Sequence, residues 1–279
     1  MRLRIIDAFT DRPFAGNPAA VCLLTSDDWP EEAWMQRVAA ELNLSETAFA
    51  HPLPDGGEAD WALRWFTPTV EANLCGHATL ATAHALREDG AIAGDGAVVR
   101  FASRGGPLTA RVREDGSLTL DFPAAACVEA PAPEGLAEAL GAEPAAVLST
   151  GRLAHLVAVL PEETGVRTLA PDLAALERMS RGAGVRAVTA PAAASDPGRG
   201  YDFVSRVFAP AAGIPEDPVT GSAHTALAPY WSARLRRGDL TGFQASARGG
   251  LVRTALHGDR VHLTGRAVTV VDGTLHATP

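Results

Sequence analysis

The sequence predicts an α+β fold of two similar lobes, each made chiefly of short antiparallel strands with few helices. Three observations carry this prediction. The first is that the chain repeats itself. The segments "RWFTP" (64–68), "CGHAT" (75–79), "SRGGPL" (103–108) and "DGSLTL" (115–120) recur in the same order as "RVFAP" (206–210), "TGSAH" (220–224), "ARGGLV" (247–252) and "GDRVHL" (258–263). The offset is nearly constant, at about half the chain, so the four matches argue for an internal duplication, and two repeats are too few for a solenoid. The second is that strand-like segments outnumber helical ones, and several are joined by short turns. The third is that no G-x-G-x-x-G motif stands between a strand and a helix, which argues against a doubly wound parallel sheet.

Taken in order, "LRIIDAF", "AAVCLL", "ETAFAH", "ALRWFTP", "AVVRFA", "LTARV" and "LTLDF" read as strands from their alternation and their β-branched or aromatic content. "EEAWMQRVAAEL" reads as an amphipathic helix behind the start signal Asp27-Asp28-Trp29-Pro30, and "HATLATAHALRED" as a second helix stopped at Gly90. The Pro- and Ala-rich stretch "AAACVEAPAPEG" reads as a linker. It sets lobes of 1–123 and 124–279, with the final strand a candidate to return to the first lobe. In the second lobe "DLAALERMSRG" repeats the amphipathic helix and "AHTALAPYWSARLRR" the Ala-rich one. Pro229 is expected to kink or end the first turns of the latter.

Composition narrows the function. The chain has 279 residues, 47% of them hydrophobic, enough for a core, and no segment approaches a membrane span. The N-terminus turns polar too soon for a signal peptide. The three cysteines, Cys22, Cys75 and Cys127, are widely spaced, which fits neither a disulfide framework nor a Cys-rich zinc site and suits a reducing cytoplasm. A net charge of −9 without a basic run makes nucleic acid an unsuitable partner. Every basic residue apart from histidine is Arg. Without Lys, pyridoxal-phosphate enzymes, Schiff-base aldolases and Walker P-loops are excluded.

The doubled helix start is the chemical feature. Each Ala-rich helix opens on a Gly beside a polar residue: Gly76 with His77, Gly221 with Ser222. A helix N-terminus exposes unpaired N–H groups and the positive end of the dipole. Taken singly, either Gly reads first as a tight turn feeding a helix. As a duplicated pair facing across a cleft they suit one carboxylate or other small anion, so a small anionic substrate between two lobes is expected. At its helix start His77 should be neutral. Asp217, just ahead of the second helix, reads as an ionised carboxylate or simply as a turn residue. Glu46 opens an apolar strand, where desolvation would suit a general base, although an exposed strand-edge Glu has the same pattern. Cys75 is either a small core residue or a thiol whose pKa the helix start lowers. His84 shares a face with His77, but no third ligand suggests a metal, and none is expected.

The segments "DAFTDRPFAGNPAAVCLL", "LSETAF", "LRWFTPTVEANLCGHATLATAHAL", "SRGGPLT" and "EDPVTGSAHTALAPYW" resemble the signature segments of the PhzF-like phenazine-biosynthesis isomerase family, and they span nearly the whole chain. The resemblance implies a diaminopimelate epimerase-like fold, in which each lobe is a β-barrel-like sheet around a buried central helix. It implies cofactor-free isomerisation, in the family the movement of a hydrogen between ring carbons of a dihydro-hydroxyanthranilate. Glu46 would carry the proton, and His77 and Asp217 would hold the substrate's polar groups and assist. Gly76, Gly221 and Ser222 would cradle a carboxylate, with Asn17 also binding substrate. A homodimer is the expected assembly. Cys75 departs from the phenazine-pathway members and echoes the first thiol segment of proline racemase and diaminopimelate epimerase. Those enzymes use a thiol from each lobe. Here the second lobe offers Asp217, which disfavours a two-thiol racemase and leaves the substrate open. Two further readings stand beside the isomerase: a racemase or epimerase using Cys75 with a carboxylate partner, and a non-catalytic small-acid-binding protein of the same fold.

Overall fold

The computed structural model describes residues 1–54, 56–185, 187–194 and 196–277. The first half runs β1 (Arg2–Ala8), β2 (Asn17–Leu23), α1 (Glu32–Leu42), β3 (Glu46–Pro52), β4 (Trp61–Phe66), β5 (Glu71–Ala72), α2 (Gly76–Glu88), β6 (Val98–Ser103), β7 (Gly106–Val112) and β8 (Leu118–Pro123). The second runs β9 (Val128–Glu129), α3 (Leu136–Leu140), β10 (Ala146–Ser149), β11 (His155–Val159), α4 (Glu163–Thr168), α5 (Leu173–Ala183), β12 (Ala187–Ala193), β13 (Phe203–Ala209), β14 (Ile214–Asp217), α6 (Gly221–Leu235), β15 (Asp239–Gln244), β16 (Gly250–His257), β17 (Arg260–Gly265) and β18 (Ala267–Thr274). The fold is α+β. Contacts divide the chain into two compact units, residues 1–121 with the chain's end from Thr264, and Phe122–Leu263. The last strand of the first unit therefore comes from the end of the chain, with β18 antiparallel to β1. Among the described residues no helix is long and apolar enough to cross a membrane.

One pairing scheme serves both units. In the first, β2 and β3 are parallel and β3 and β4 antiparallel; β5 takes one end of the far edge of β4, and β6 runs parallel to the other end. In the second, β11 and β12 are parallel, β12 and β13 antiparallel, and β14 and β15 share the edge of β13 in the same way. Within the α+β class the pairing is thus mixed and not antiparallel throughout. The parallel pairs arise where a helix fills the connection, because a strand that reaches its neighbour through a helical crossover arrives pointing the same way. With "RWFTP" laid on "RVFAP", the registers match Glu46 to Ala187 and Ala72 to Asp217. The helix caps match Cys75 to Thr220, and hence His77 to Ser222. A shared frame carries different chemistry in each unit.

The sheet of the first unit has a helix on each face. On one, Trp34, Met35, Val38 and Ala39 of α1 pack with Phe49 and Phe66. On the other lies α2, buried from His77 to Leu86. It touches β1, β2, β3, β7 and β18, so the sheet curls around it. Its small side chains allow that close approach. Its buried hydroxyls bond back along the helix, Thr79 to Cys75 O at 2.5 Å and Thr82 to Ala78 O at 2.7 Å. In the second unit α6 is the buried counterpart and runs through Pro229 to Leu235 instead of ending there. Pro229 leaves the Thr225 carbonyl without its helical donor, and Ala125 N–H takes that place at 3.1 Å. The Pro-rich stretch read as a linker is therefore ordered: it donates to α6 and contains β9.

Candidate active site

Three elements of the first unit deliver a polar cluster. Asn17 opens β2 behind Gly16, whose φ of 63° and close approach to Ala8 O, 2.1 Å from where a Cβ would stand, require glycine. Glu46 opens β3, and period-two alternation turns its side chain to the α2 face. Cys75 caps α2 in an extended conformation, with Gly76 and His77 its first two residues. The loop entering α2 is backed by Gly105, where a Cβ would stand 2.2 Å from Asn73 O.

The imidazole of His77 is the centre of the cluster. Its Nε2 lies 3.3 Å from Glu46 Oε2. Its Nδ1 lies 3.2 Å from Asn17 Nδ2 and 3.5 Å from Cys75 Sγ. Burial pushes the pKa of His77 down to about 3, so the ring is neutral near pH 7. With Nδ2 of the Asn17 amide against Nδ1, Nδ1 is the acceptor and the ring proton is assigned to Nε2, on the Glu46 side, where it completes no hydrogen bond among the described residues. Asn17, Cys75 and His77 are buried, while the Glu46 side chain keeps 14% exposure and Gly76 is half-buried. The carboxylate and the first helical amide are therefore the accessible parts, with the thiol and the ring behind them.

Glu46, Cys75 and His77 offer ligand atoms within 4.8 Å of one another, the spacing of a metal site. The ring stands between the other two, however, with Nδ1 towards the thiol and Nε2 towards the carboxylate. One ion could not take all three without turning the imidazole away from Asn17. His84 faces Glu88, 3.2 Å away on its own helix.

The second unit carries a different arrangement at the matching place. Asp217 ends β14, and Thr220 caps α6 and donates from Oγ1 to Asp217 Oδ2. Gln244 ties this turn together from β15. It accepts from Thr220 N at 2.8 Å and donates to Asp217 O at 2.6 Å and to Thr220 Oγ1 at 3.1 Å. His224 donates from Nδ1 to Thr220 O at 2.8 Å, and burial pushes its pKa down to about 4. Gly221 is buried and Ser222 half-buried at the helix start. Sequence reasoning missed Gln244 and Thr220. The only sign of Gln244 is one amide closing the stretch "DLTGFQ".

A family model described as "Phenazine biosynthesis-like protein" matches residues 6–273. A protein of Pseudomonas aeruginosa named an uncharacterized isomerase is 48% identical over 274 residues, 97% of each chain. The crystal structure of a phenazine biosynthesis protein of the PhzF family from Enterococcus faecalis is 37% identical, covers 99% of both chains and superposes with a TM-score of 0.87. A hydroxyproline epimerase from Agrobacterium vitis shares the fold, with a TM-score of 0.65 at 16% identity over 98% of this chain and 91% of that one.

Proposed function

The chain belongs to the phenazine biosynthesis-like protein family, and from that premise we propose that it is a cofactor-independent isomerase of a small carboxylate-bearing metabolite. Its relatives' names support an isomerase role. The observation that carries the finer reading is the accessible Glu46 carboxylate set against the neutral Nε2–H of His77 at a helix start.

In this reading Glu46 accepts a proton as a substrate C–H bond breaks. The electron pair left behind moves into the neighbouring unsaturated system, and the proton forms a C–H bond at its far end. Electrons stay within the substrate, so no oxidant or reductant is consumed. A neutral His77 beside the carboxylate spares it the full positive charge that would weaken it as a base. Asn17, buried on the far side of the ring, acts through His77. The helix-start amides, at Gly76 in one unit and at Gly221 and Ser222 in the other, are each suited to an anionic group. Asp217, fixed by Thr220, is suited to accept from a substrate hydroxyl or amine.

One observation favours a second reading. Cys75 is both the cap of α2 and a neighbour of His77 Nδ1, a setting in which a thiol could act as the acid or base of a racemase or epimerase. The proposal is tested by heating the protein with a panel of small carboxylic acids and incubating those that raise Tm in D₂O. The expected result is an isomeric product carrying deuterium at one carbon. A panel in which no acid stabilises the protein and none exchanges would overturn it.

A further inference from the structure

The two units differ at nearly every chemical position, yet one device is repeated in both. Arg64 on β4 grips Glu71 on β5 with two parallel bonds, Nε to Oε1 and Nη2 to Oε2, both 2.8 Å. Arg206 on β13 grips Glu216 on β14 in the same way, at 2.7 and 2.9 Å. Each guanidinium also lies over the ring two residues further along its own strand, Arg64 over Phe66 at 5.2 Å and Arg206 over Phe208 at 5.0 Å. Each glutamate stands the same distance in sequence ahead of its helix cap, Cys75 in one unit and Thr220 in the other. Other partners are not shared: Arg104 and Glu32 join the first pair, and the Leu169 carbonyl joins the second.

We propose that Arg64 and Arg206 are positioning residues, each locking the short edge strand that leads into a functional helix start. The device answers a local weakness. β5 is only Glu71–Ala72, and its backbone pairing reaches just Trp65 and Phe66. So little ladder cannot fix where Cys75, Gly76 and His77 stand. A two-pronged Arg–carboxylate pair fixes direction as well as distance, and the ring beneath each guanidinium limits its swing. In the second unit Glu216 directly precedes Asp217, so the fork sets the backbone that carries that carboxylate. The side chain of Glu71 is only 6% exposed, and Arg64 holds its carboxyl below the usual range, so the pair is shielded and stays ionised.

This inference rests on the reading of the two helix starts as parts of the catalytic machinery, so its test has one readout that needs no substrate. Arg64→Lys, Glu71→Gln, Arg206→Lys and Glu216→Gln are compared with Arg100→Ala, which breaks a fork to Asp60 away from either helix start. Hydrogen–deuterium exchange is followed over 71–77 and 216–222. The expected result is exchange about tenfold faster in the segment of the altered unit alone, with the rest of that unit protected as in the parent. On any acid that the parent turns over, kcat should fall about ten- to a hundredfold with KM little changed. Arg100→Ala should do neither. Exchange that rises evenly across the unit, or parent kcat in folded Lys variants, would overturn the proposal. If the parent turns over no acid, the isomerase reading fails, and the exchange pattern still decides whether the forks position these segments.

Discussion

Nε2 of His77 stands 3.3 Å from Oε2 of Glu46, and burial keeps the ring neutral. The relationship joins the proposed base to a group that cannot become a competing acid at ordinary pH. It also has a cost in stability. The folded pKa of His77 lies below the unfolded value, so the unfolded chain takes up the proton first as pH falls. Stability is therefore whole above about pH 6.5 and is lost as pH falls towards 3. By pH 5 this one group should have removed about 2 kcal/mol. Urea unfolding from pH 8 to pH 5 should show a loss in the parent to which the buried His224 also contributes, and a loss smaller by about 2 kcal/mol in His77→Asn. Equal losses would mean that His77 is not buried neutral.

Gln244 makes three hydrogen bonds to the Asp217–Thr220 turn from a fully buried position. Gln244→Leu keeps the bulk but leaves the Thr220 N–H and the Asp217 carbonyl without these partners. A loss of about 2–4 kcal/mol in urea unfolding is expected, because each buried orphan costs about 1–3 kcal/mol. A loss below about 0.5 kcal/mol would show that the turn does not depend on Gln244.

Phe9 and Phe14 share a left-handed backbone, with φ of 62° and 66°, and differ in burial, 1% against 74% exposed. Glycine relieves the backbone at both. Phe14→Gly forfeits little packing and keeps the backbone N–H that donates to Asp7 Oδ2 at 2.7 Å. It should raise stability by about 0.5–1 kcal/mol. Phe9→Gly empties a core position and should lower it by about 3–5 kcal/mol. Opposite signs in Tm are the expected outcome, and two losses of similar size would contradict it.

Much of this is legible in the sequence for identifiable reasons. The Ala-rich helices stand out because small residues in a long apolar run can only be a closely packed, buried element, and α2 and α6 are that. Glu46 draws notice because it opens an apolar strand, and His77 and Asp217 because they stand at helix starts. The parallel pairs are not visible, since alternation within a strand says nothing of its neighbour's direction. The continuity of α6 through Pro229 depends on Ala125, a residue distant in the chain. The Arg–Glu forks are hidden for the same reason: each arginine and its glutamate lie on different strands, and only the register brings them together.

Cys75 separates the two chemical readings. Cys75→Ser keeps the cap position and removes the thiol. Under the Glu46 account, turnover should stay within about threefold of the parent, well short of the hundredfold that loss of an acid–base group costs. A fall of that larger size in a folded Cys75→Ser protein would move the chemistry to the thiol.

The most direct test of the central claim is turnover by Glu46→Gln on an acid that the parent isomerises in D₂O. Glutamine keeps the size and hydrogen-bonding capacity of the side chain and removes the base. Because the substrate seat is assigned to the helix starts, binding measured by Tm shift should be nearly unchanged. With Glu46 as the proton carrier, kcat should fall at least ~10²-fold, and deuterium should no longer enter the product. A folded Glu46→Gln enzyme that turns over at the parent rate, with deuterium still incorporated, would contradict the account.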